Sequence, residues 1–228
     1  MDAHGRTTMT DASRKAKRAL DVVIAGLAAA IAGPFMLLIA LAIRLEDRGP
    51  ALLRQSRVGM DGEDFDLLKF RTMIADAHTV GSGWLVAERD PRITRVGRVL
   101  RKWSLDELPQ MFNVLRGEMS IVGPRPTLRY QVDQYTPFQR RRLEAKPGIT
   151  GWAQIRGRNS LRWPERIELD VWYVEHQSLR LDLLILMRTV PMILKPSGVY
   201  NEARGDWGEA VDPAGHADVT PKTPGPAA

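Results

Sequence analysis

The sequence predicts a mainly α-helical protein with a few short β-strands, built from an N-terminal re-entrant membrane helix, amphipathic interfacial helices and a small cytosolic domain. Three observations lead to this fold class. An apolar run extends from Val22 to Ile43, amphipathic helical patterns recur later in the chain, and two short segments have the composition of strands. The length of 228 residues suits one compact domain with appendages.

The membrane segment is expected within residues 14–48, after a disordered polar segment of residues 1–13. Four basic residues precede the apolar run, namely Arg14, Lys15, Lys17 and Arg18. The run has roughly the 20 residues that a helix needs to cross a bilayer core. Its length, and the lack of a convincing cleavage site before Arg44, argue against a cleaved signal peptide.

Gly33 and Pro34 lie near the middle of the apolar run, where proline removes a backbone donor and kinks a helix. Basic residues flank the run on both sides, although a spanning helix normally keeps its cationic end in the cytoplasm. We therefore expect the helix to break at Pro34 and return to the face from which it entered. A kinked spanning helix and a buried soluble helix are the alternatives.

The soluble domain is expected over residues 49–200, followed by a disordered tail over 201–228. Its first elements are two short strands, 51–53 and 66–68, around a turn at 59–62. Helical stretches between Leu169 and Leu194 are apolar, but Asp182 and Arg188 interrupt them. These stretches are therefore expected to pack on the domain or to lie in the membrane interface.

An amphipathic helix is predicted between Ile93 and Trp103. Arginines recur there at every third position, at Arg92, Arg95, Arg98 and Arg101, opposite an apolar face. A cationic helix of this kind suits an anionic lipid surface, and an ordinary solvated face is an equally good reading. A second helix is expected from near Ser104 to Gly117, because glycine favours the position after a helix end.

Composition limits the classes of partner and cofactor. The net charge of +6 favours an anionic partner, yet no nucleic-acid-binding motif is present, so no nucleic acid is expected. The absence of cysteine excludes disulfides and thiolate ligands, and the four histidines lack metal-ligand spacing. A metal cofactor would therefore use oxygen ligands, which favours Mg²⁺.

Asp106 and Glu107 are the candidate catalytic and metal-binding residues. Paired carboxylates with magnesium suffice for phosphoryl transfer, and an aspartate can act as the nucleophile. The alternative is structural, because Ser104 and Glu107 have the spacing of a helix capping box. Lys69, Arg101 and Arg125 are candidate phosphate-binding residues.

A shaped loop is predicted between Lys146 and Trp152. Its glycines permit a close backbone approach, and Trp152 has the size to pack on a base or an apolar tail. An ordinary turn with a buried tryptophan fits the same residues. The candidate nucleotide-binding residues of this loop are Pro147, Gly148, Thr150 and Trp152.

Several long blocks of this chain, in the same order, resemble the bacterial sugar transferases, the monotopic phosphoglycosyl transferases that act on polyprenyl phosphate. The resemblance covers about residues 17–197. The matching blocks are 69–73 (KFRTM), 103–110 (WSLDELPQ), 113–126 (NVLRGEMSIVGPRP), 146–154 (KPGITGWAQ), 157–159 (GRN) and 170–174 (DVWYV).

This resemblance implies an enzyme of the bacterial inner membrane whose catalytic domain faces the cytoplasm. The aspartate that matches Asp106 would attack the diphosphate of a UDP-sugar, release UMP and hold the sugar phosphate until polyprenyl (undecaprenyl) phosphate takes it. The matching Glu107 would bind Mg²⁺, and Lys69, Arg101 and Arg125 would line the site. Where the family often has serine before the proline of the membrane helix, this chain has Gly33.

The product would feed surface polysaccharide or glycoconjugate synthesis. The implied partners are a UDP-sugar, polyprenyl phosphate and membrane lipid, and the resemblance is compatible with a homo-oligomer. The chain resembles the minimal catalytic form of the family. A catalytically silent membrane scaffold that binds polyprenyl phosphate or recruits later glycosyltransferases is the main alternative, and a basic nucleic-acid binder is a more distant one.

Overall fold

A computed structural model describes residues 9–75, 77, 90–157 and 161–194. The tail expected at 201–228 and most of the N-terminal segment expected at 1–13 lie outside the described residues. The described chain is mainly helical with four short strands, which confirms the predicted fold class. The helices are α1 (Asp11–Asp47), α2 (Arg95–Lys102), α3 (Gln110–Arg116), α4 (Arg129–Asp133), α5 (Pro137–Arg140), α6 (Trp152–Gly157), α7 (Trp163–Glu175) and α8 (Leu179–Leu194). The strands are β1 (Leu52–Val58), β2 (Asp64–Phe70), β3 (Ser120–Val122) and β4 (Gly148–Thr150), and 3-10 turns cover Met60–Gly62, Leu105–Glu107 and Arg141–Glu144.

Helix α1 contains the whole apolar run, and the hydroxyl of Thr10, the N-cap residue, accepts a hydrogen bond from the amide of Ser13. Among the described helices, α1 has the length and composition that could cross a membrane. Large apolar side chains along its middle are exposed, with Ile31 80% and Leu37 74% exposed. Pro34 lies inside the helix, so the break and return at this residue stays a prediction.

The N-terminal part of α1 is fixed to the soluble domain by polar contacts. The buried Lys17 ammonium donates to Asp182 of α8 at 2.7 Å and to the carbonyl of Val122 at 3.0 Å. Arg18 donates to the last carbonyls of α3, including that of Val114. Two of the four basic residues before the apolar run therefore bind the domain.

The C-terminal part of α1 contacts the same domain at a different place. Ile39 and Ile43 are buried in a cluster with Phe70 and Leu100. The Glu46 carboxylate accepts hydrogen bonds from the first two amides of α2, at 2.7 and 3.0 Å. Both ends of α1 are thus attached to one small domain.

Strands β1 and β2 form an antiparallel hairpin, which confirms the two predicted strands and extends them. Lys69 pairs with Leu53, and Arg57 pairs with Phe65. Side chains alternate between the two faces of a strand. Odd-numbered residues of the hairpin therefore share one face, which includes Leu67 of the main core.

Strands β3 and β4 pair in parallel, and the chain reverses sharply after β3. At Gly123 a side chain would overlap the carbonyl of Lys146, so only glycine allows this close approach. The reversal brings the carbonyl of Pro124 to the amide of Gly148, at 2.8 Å. Arg125, which follows this reversal, therefore lies near Pro147 at the start of β4.

Two details of the predicted helices are wrong. The arginines at 92–101 do not form one exposed face, because Arg92 is buried against Asp90 and Arg101 donates to Thr72. The helix expected from Ser104 begins instead at Gln110, and it does end before Gly117 in a left-handed conformation. Pro109 at the N-cap has no amide to join an earlier helix, which separates the acidic turn from α3.

Helix α8 confirms the apolar helical stretch predicted before Leu194, and it packs on the domain through Asp182. Asp182 is buried and accepts hydrogen bonds from Lys17 and from the hydroxyl of Tyr173, at 2.7 and 2.6 Å. The opposite face of α8 is apolar and exposed. Its exposed residues are Leu183, Met187, Val190 and Ile193.

Candidate active site

Asp106 and Glu107 lie in a single 3-10 turn, Leu105–Glu107, between α2 and α3. Ser104 before this turn has a left-handed backbone (φ 55°), and its hydroxyl makes no capping hydrogen bond. The capping box that offered a structural reading of the acidic pair is therefore not formed. The two carboxylates are held at the end of a basic helix, α2, beside the β-hairpin.

Asp106 lies in a cluster of charged groups. Burial of the side chain, and after it the neighbouring Glu107 carboxylate, raise the pKa of Asp106 to about 6. Lys69 and Arg101 act in the opposite direction and favour the ionised form. The carboxylate thus carries negative charge at neutral pH in a poorly solvated place, as a nucleophile at phosphorus requires.

Lys69 projects from the end of β2 toward the same turn. Burial, and then the charge of Arg57, lower the pKa of Lys69 to about 8, while Asp106 opposes this shift. The Lys69 residue as a whole is only partly buried. A partly desolvated ammonium surrounded by other cations favours binding of an anion.

Arg125 forms an ion pair with Glu107, with 2.5 Å between Nη2 and Oε1. The Glu107 charge raises the pKa of Arg125 above its usual value. The Arg125 side chain is 56% exposed, so the rest of its guanidinium is open to a ligand. The structure therefore brings Asp106, Glu107, Lys69, Arg101 and Arg125 together, from four separate segments of the chain.

Arg101 and Arg125 are each positioned by a hydrogen bond to a neighbouring segment of the chain. Arg101 donates from Nε to the hydroxyl of Thr72 at 2.8 Å. Helix α2 can approach Thr72 closely because position 97 is glycine, where a side chain would overlap the Thr72 carbonyl. Behind Arg125, Nη2 of the buried Arg142 donates to the Arg125 carbonyl at 2.9 Å.

Arg142 belongs to a buried polar network that sequence reasoning missed. Its guanidinium is paired with Asp170 at 2.5 Å and donates to the Tyr135 hydroxyl at 2.6 Å. Burial raises the pKa of Asp170 to about 6, against the effect of Arg142. A signal was present, since Asp170 opens one of the family-like blocks, 170–174.

The predicted nucleotide-binding loop divides between two environments. Pro147 and Gly148 lie beside Pro124 and Arg125, at the edge of the cationic cluster. Thr150 instead bonds the Thr189 hydroxyl of α8 at 2.7 Å. Trp152 is buried and stacked on Trp172 at 4.9 Å. Nucleotide binding by these four residues stays a prediction.

Arg57 is the other residue that sequence reasoning left out of the site. Arg57 is one of the basic residues that follow the apolar run. The register of the hairpin puts it on the same face as Lys69, and the charges of the two residues interact. Alternate residues of a hairpin share a face, so the predicted turn at 59–62 could have placed Arg57 on the face of Lys69.

The donor set around Asp106 fits a magnesium ion. In the described part of the chain, no three acidic or histidine side chains form a metal cluster. Mg²⁺ commonly binds one or two carboxylates and takes its other ligands from water and substrate phosphates. Asp106 and Glu107 are adjacent carboxylates that repel each other, and a divalent cation would relieve that repulsion.

A partly desolvated carboxylate among fixed cations, on a domain that carries a long apolar helix, is the arrangement expected of a phosphoryl-transferring enzyme that acts at a membrane. Comparison with known proteins identifies the family. The family model described as bacterial sugar transferase matches residues 12–196, and the chain belongs to this family. The predicted family and the predicted enzyme class, a phosphoglycosyl transferase, are therefore confirmed.

Three relatives illustrate the range of sugars in the family. The chain is 48% identical over 195 residues to the UDP-glucose:undecaprenyl-phosphate glucose-1-phosphate transferase of Caulobacter vibrioides, covering 81% of this chain and 72% of that protein. It is 42% identical over 188 residues to the UDP-N-acetylgalactosamine-undecaprenyl-phosphate N-acetylgalactosaminephosphotransferase of Aeromonas hydrophila (80% and 44% covered). It is 39% identical over 202 residues to the undecaprenyl-phosphate galactose phosphotransferase of Salmonella typhimurium (82% and 42% covered).

Proposed function

We propose that this protein transfers a sugar 1-phosphate from a UDP-sugar to polyprenyl phosphate, with undecaprenyl phosphate as the acceptor, and thereby starts assembly of a lipid-linked glycan. The observation that supports this function best is the Asp106 carboxylate, partly desolvated and adjacent to Lys69 and Arg101, with Arg125 held on the neighbouring Glu107. The names of the three relatives support the same acceptor and the same kind of donor.

In the proposed reaction, a carboxylate oxygen of Asp106 attacks the phosphorus that bears the sugar. The bond from this phosphorus to the bridging oxygen breaks, and UMP leaves with the electron pair. The sugar phosphate is then held on Asp106 as an acyl phosphate. An oxygen of polyprenyl phosphate attacks the same phosphorus, which frees the aspartate and gives the polyprenyl-diphosphate sugar. Splitting one displacement into two is the general benefit of covalent catalysis.

The cations of the site stabilise the charge that this reaction moves. Lys69 and Arg101 act on Asp106 and are near the attacked phosphorus, while Arg125 is held by Glu107 at the edge of the cluster. Phosphoryl transfer depends mainly on positioning and on such fixed positive charge. A magnesium ion held by Asp106 and Glu107 would neutralise diphosphate charge when bound.

The arrangement of α1 supports a helix that enters and leaves the membrane on one face. A straight helix of 37 residues would be about 55 Å long, longer than a bilayer core of about 30 Å. Yet Lys17 near one end and Glu46 near the other bind the same small domain. We infer that both ends lie on the cytoplasmic face, where UDP-sugars are found, with the domain resting on the lipid surface.

The exposed apolar residues of the domain fit this orientation. Leu183 and Met187 of α8, Val99 of α2 and Trp103 directly after α2 are 42% or more exposed. Arg95 and Arg98 of α2 are also exposed, which suits anionic headgroups. The acceptor would reach Asp106 from the membrane, and the donor would reach it from the cytosol.

UMP release from a panel of UDP-sugars tests the proposal. Purified protein in detergent is supplied with undecaprenyl phosphate and Mg²⁺, and wild type is compared with Asp106→Asn and with the exposed control Asp133→Asn. We expect one sugar to give UMP with wild type and with the control and none with Asp106→Asn. Activity of Asp106→Asn at the wild-type rate would contradict the mechanism. No UMP from any sugar would favour the silent scaffold.

A further inference from the structure

Arg57 lies on the face of the hairpin that carries Lys69. In the antiparallel register, odd-numbered residues from Leu53 to Arg57 and from Phe65 to Lys69 share this face. Phe65 and Leu67 pack into the main core, and the longer side chains of Arg57 and Lys69 are half-buried at its edge. Arg57 and Lys69 therefore lie at opposite ends of this partly buried face of the hairpin.

Arg57 is also beside the segment that carries Arg125. The amide of Val58 donates to the carbonyl of Thr127 at 2.9 Å, which joins β1 to the chain two residues after Arg125. Burial, and then the charge of Arg125, lower the pKa of Arg57 to about 10. Two arginines and a lysine thus lie close enough to repel one another.

Arg57 has no carboxylate partner among the described residues. The hydrogen bond that its guanidinium makes there is to the carbonyl of Ser56, at 3.2 Å. Between Arg57 and Lys69 lies Gln55, whose Oε1 is buried and receives no hydrogen bond from the described residues. A half-buried arginine without a carboxylate partner and an acceptor without a donor are what a bound phosphate ester with a hydroxyl or N–H group would satisfy.

The position of Arg57 along the hairpin separates it from the membrane helix. Strand β1 begins five residues after α1 ends, and Lys69 pairs with Leu53 at this near end. Arg57 is four residues further along, or about 13 Å at strand spacing. The charges that act on Asp106 are those of Glu107, Lys69 and Arg101, while those that act on Arg57 are Arg125 and Tyr130. Arg57 is thus farther from both the nucleophile and the lipid side.

We propose that Arg57 binds the phosphate of the departing nucleotide, the one that UMP retains, and that Gln55 accepts a hydrogen bond from the same ligand. This inference rests on the proposed function. Arg57 would extend the cationic site by one residue on the side that faces the cytosol. Lys69 and Arg101 act at the attacked phosphorus, and Arg57 with Arg125 stabilises the charge that collects on UMP as it leaves.

The test compares Arg57→Gln with Arg54→Gln. Arg54 is on the same strand, is exposed, and points to the opposite face, so both variants lose one positive charge. Binding of UMP is measured by calorimetry, which needs no turnover. We expect Arg57→Gln to weaken UMP binding about tenfold, as loss of a charge-assisted hydrogen bond does. Arg54→Gln should bind UMP like wild type, and Arg57→Lys should recover part of the loss.

A second arm measures the KM for undecaprenyl phosphate at saturating UDP-sugar. We expect Arg57→Gln to leave this KM unchanged while it lowers kcat/KM for the UDP-sugar. UMP binding equal to wild type in an Arg57→Gln protein with the wild-type melting temperature would overturn the inference and leave the proposed function intact. A raised KM for the lipid with unchanged UMP binding would put Arg57 on the acceptor side and also overturn it. Wild-type protein that neither binds nor releases UMP would refute the proposed function itself.

Discussion

The charges around Asp106 and Lys69 predict a bell-shaped dependence of UMP release on pH. The pKa of Asp106 is raised to about 6 by burial and by Glu107, so lowering the pH protonates this carboxylate near pH 6. The pKa of Lys69 is lowered to about 8, so raising the pH removes a phosphate-binding charge near pH 8. The proposed reaction needs ionised Asp106 and charged Lys69, and UMP release should therefore be fastest between these two pH values.

The size of the effect follows from simple titration. With a pKa of about 6, the ionised fraction of Asp106 falls about tenfold between pH 7 and pH 5, whereas an ordinary aspartate would lose roughly a tenth. The basic limb should similarly fall about tenfold between pH 7 and pH 9. The quantity to measure is kcat/KM for the UDP-sugar, because it reports the free enzyme.

Lys69→Arg provides the matched control for the basic limb. Arginine stays charged throughout this range, so the variant should keep the acid limb and lose the fall above pH 8. Higher magnesium concentration should move the acid limb to lower pH, because a cation on Asp106 and Glu107 favours their ionised forms. A wild-type profile that is flat from pH 5 to pH 7 would refute the reasoning about Asp106. A basic limb that persists in Lys69→Arg would refute the assignment to Lys69.

Three further predictions concern the packing and the metal. Lys17→Met should destabilise the protein by about 3–5 kcal/mol, since it leaves the Asp182 charge buried without its partner, and an unchanged melting temperature in detergent would contradict this. Gly97→Ala should displace α2 and lower UMP release at least tenfold, because the alanine side chain would overlap the backbone carbonyl of Thr72. Gly26→Ala is the matched control and should keep wild-type activity, since nothing lies within 4 Å of a side chain at that position. Removal of divalent cations with EDTA should abolish UMP release and Mg²⁺ should restore it, while activity that survives EDTA would exclude a metal on Asp106.

The elements that the sequence predicted well are those with a strong local signal. The apolar run gave α1, alternating strand residues around the turn at 59–62 gave the hairpin, and Gly117 marked the end of α3. The acidic pair, Lys69 and Arg125 were predicted as site residues from long family-like blocks, and Arg101 lies two residues before one of these blocks. These signals depend on residues that are close in sequence.

The features that were missed depend on contacts between distant segments. The spacing of Ser104 and Glu107 fits a capping box, but the left-handed backbone at Ser104 and the proline at 109 prevent it. Arg92 shares the periodicity of its neighbouring arginines, yet Asp90 holds it in the interior. No local pattern reveals that Lys17 pairs with a residue 165 positions later or that Arg142 supports the backbone of Arg125.

The proposed acyl phosphate on Asp106 can be tested by intact-protein mass spectrometry. Wild-type protein is incubated with its UDP-sugar and Mg²⁺ without any polyprenyl phosphate, and the released UMP is measured in parallel. We expect one sugar phosphate added per protein, an equal amount of UMP, and loss of the adduct when undecaprenyl phosphate is added. Asp106→Asn should gain no mass. Turnover to the lipid product without any adduct, or an adduct that forms equally on Asp106→Asn, would contradict the role of Asp106 as the nucleophile.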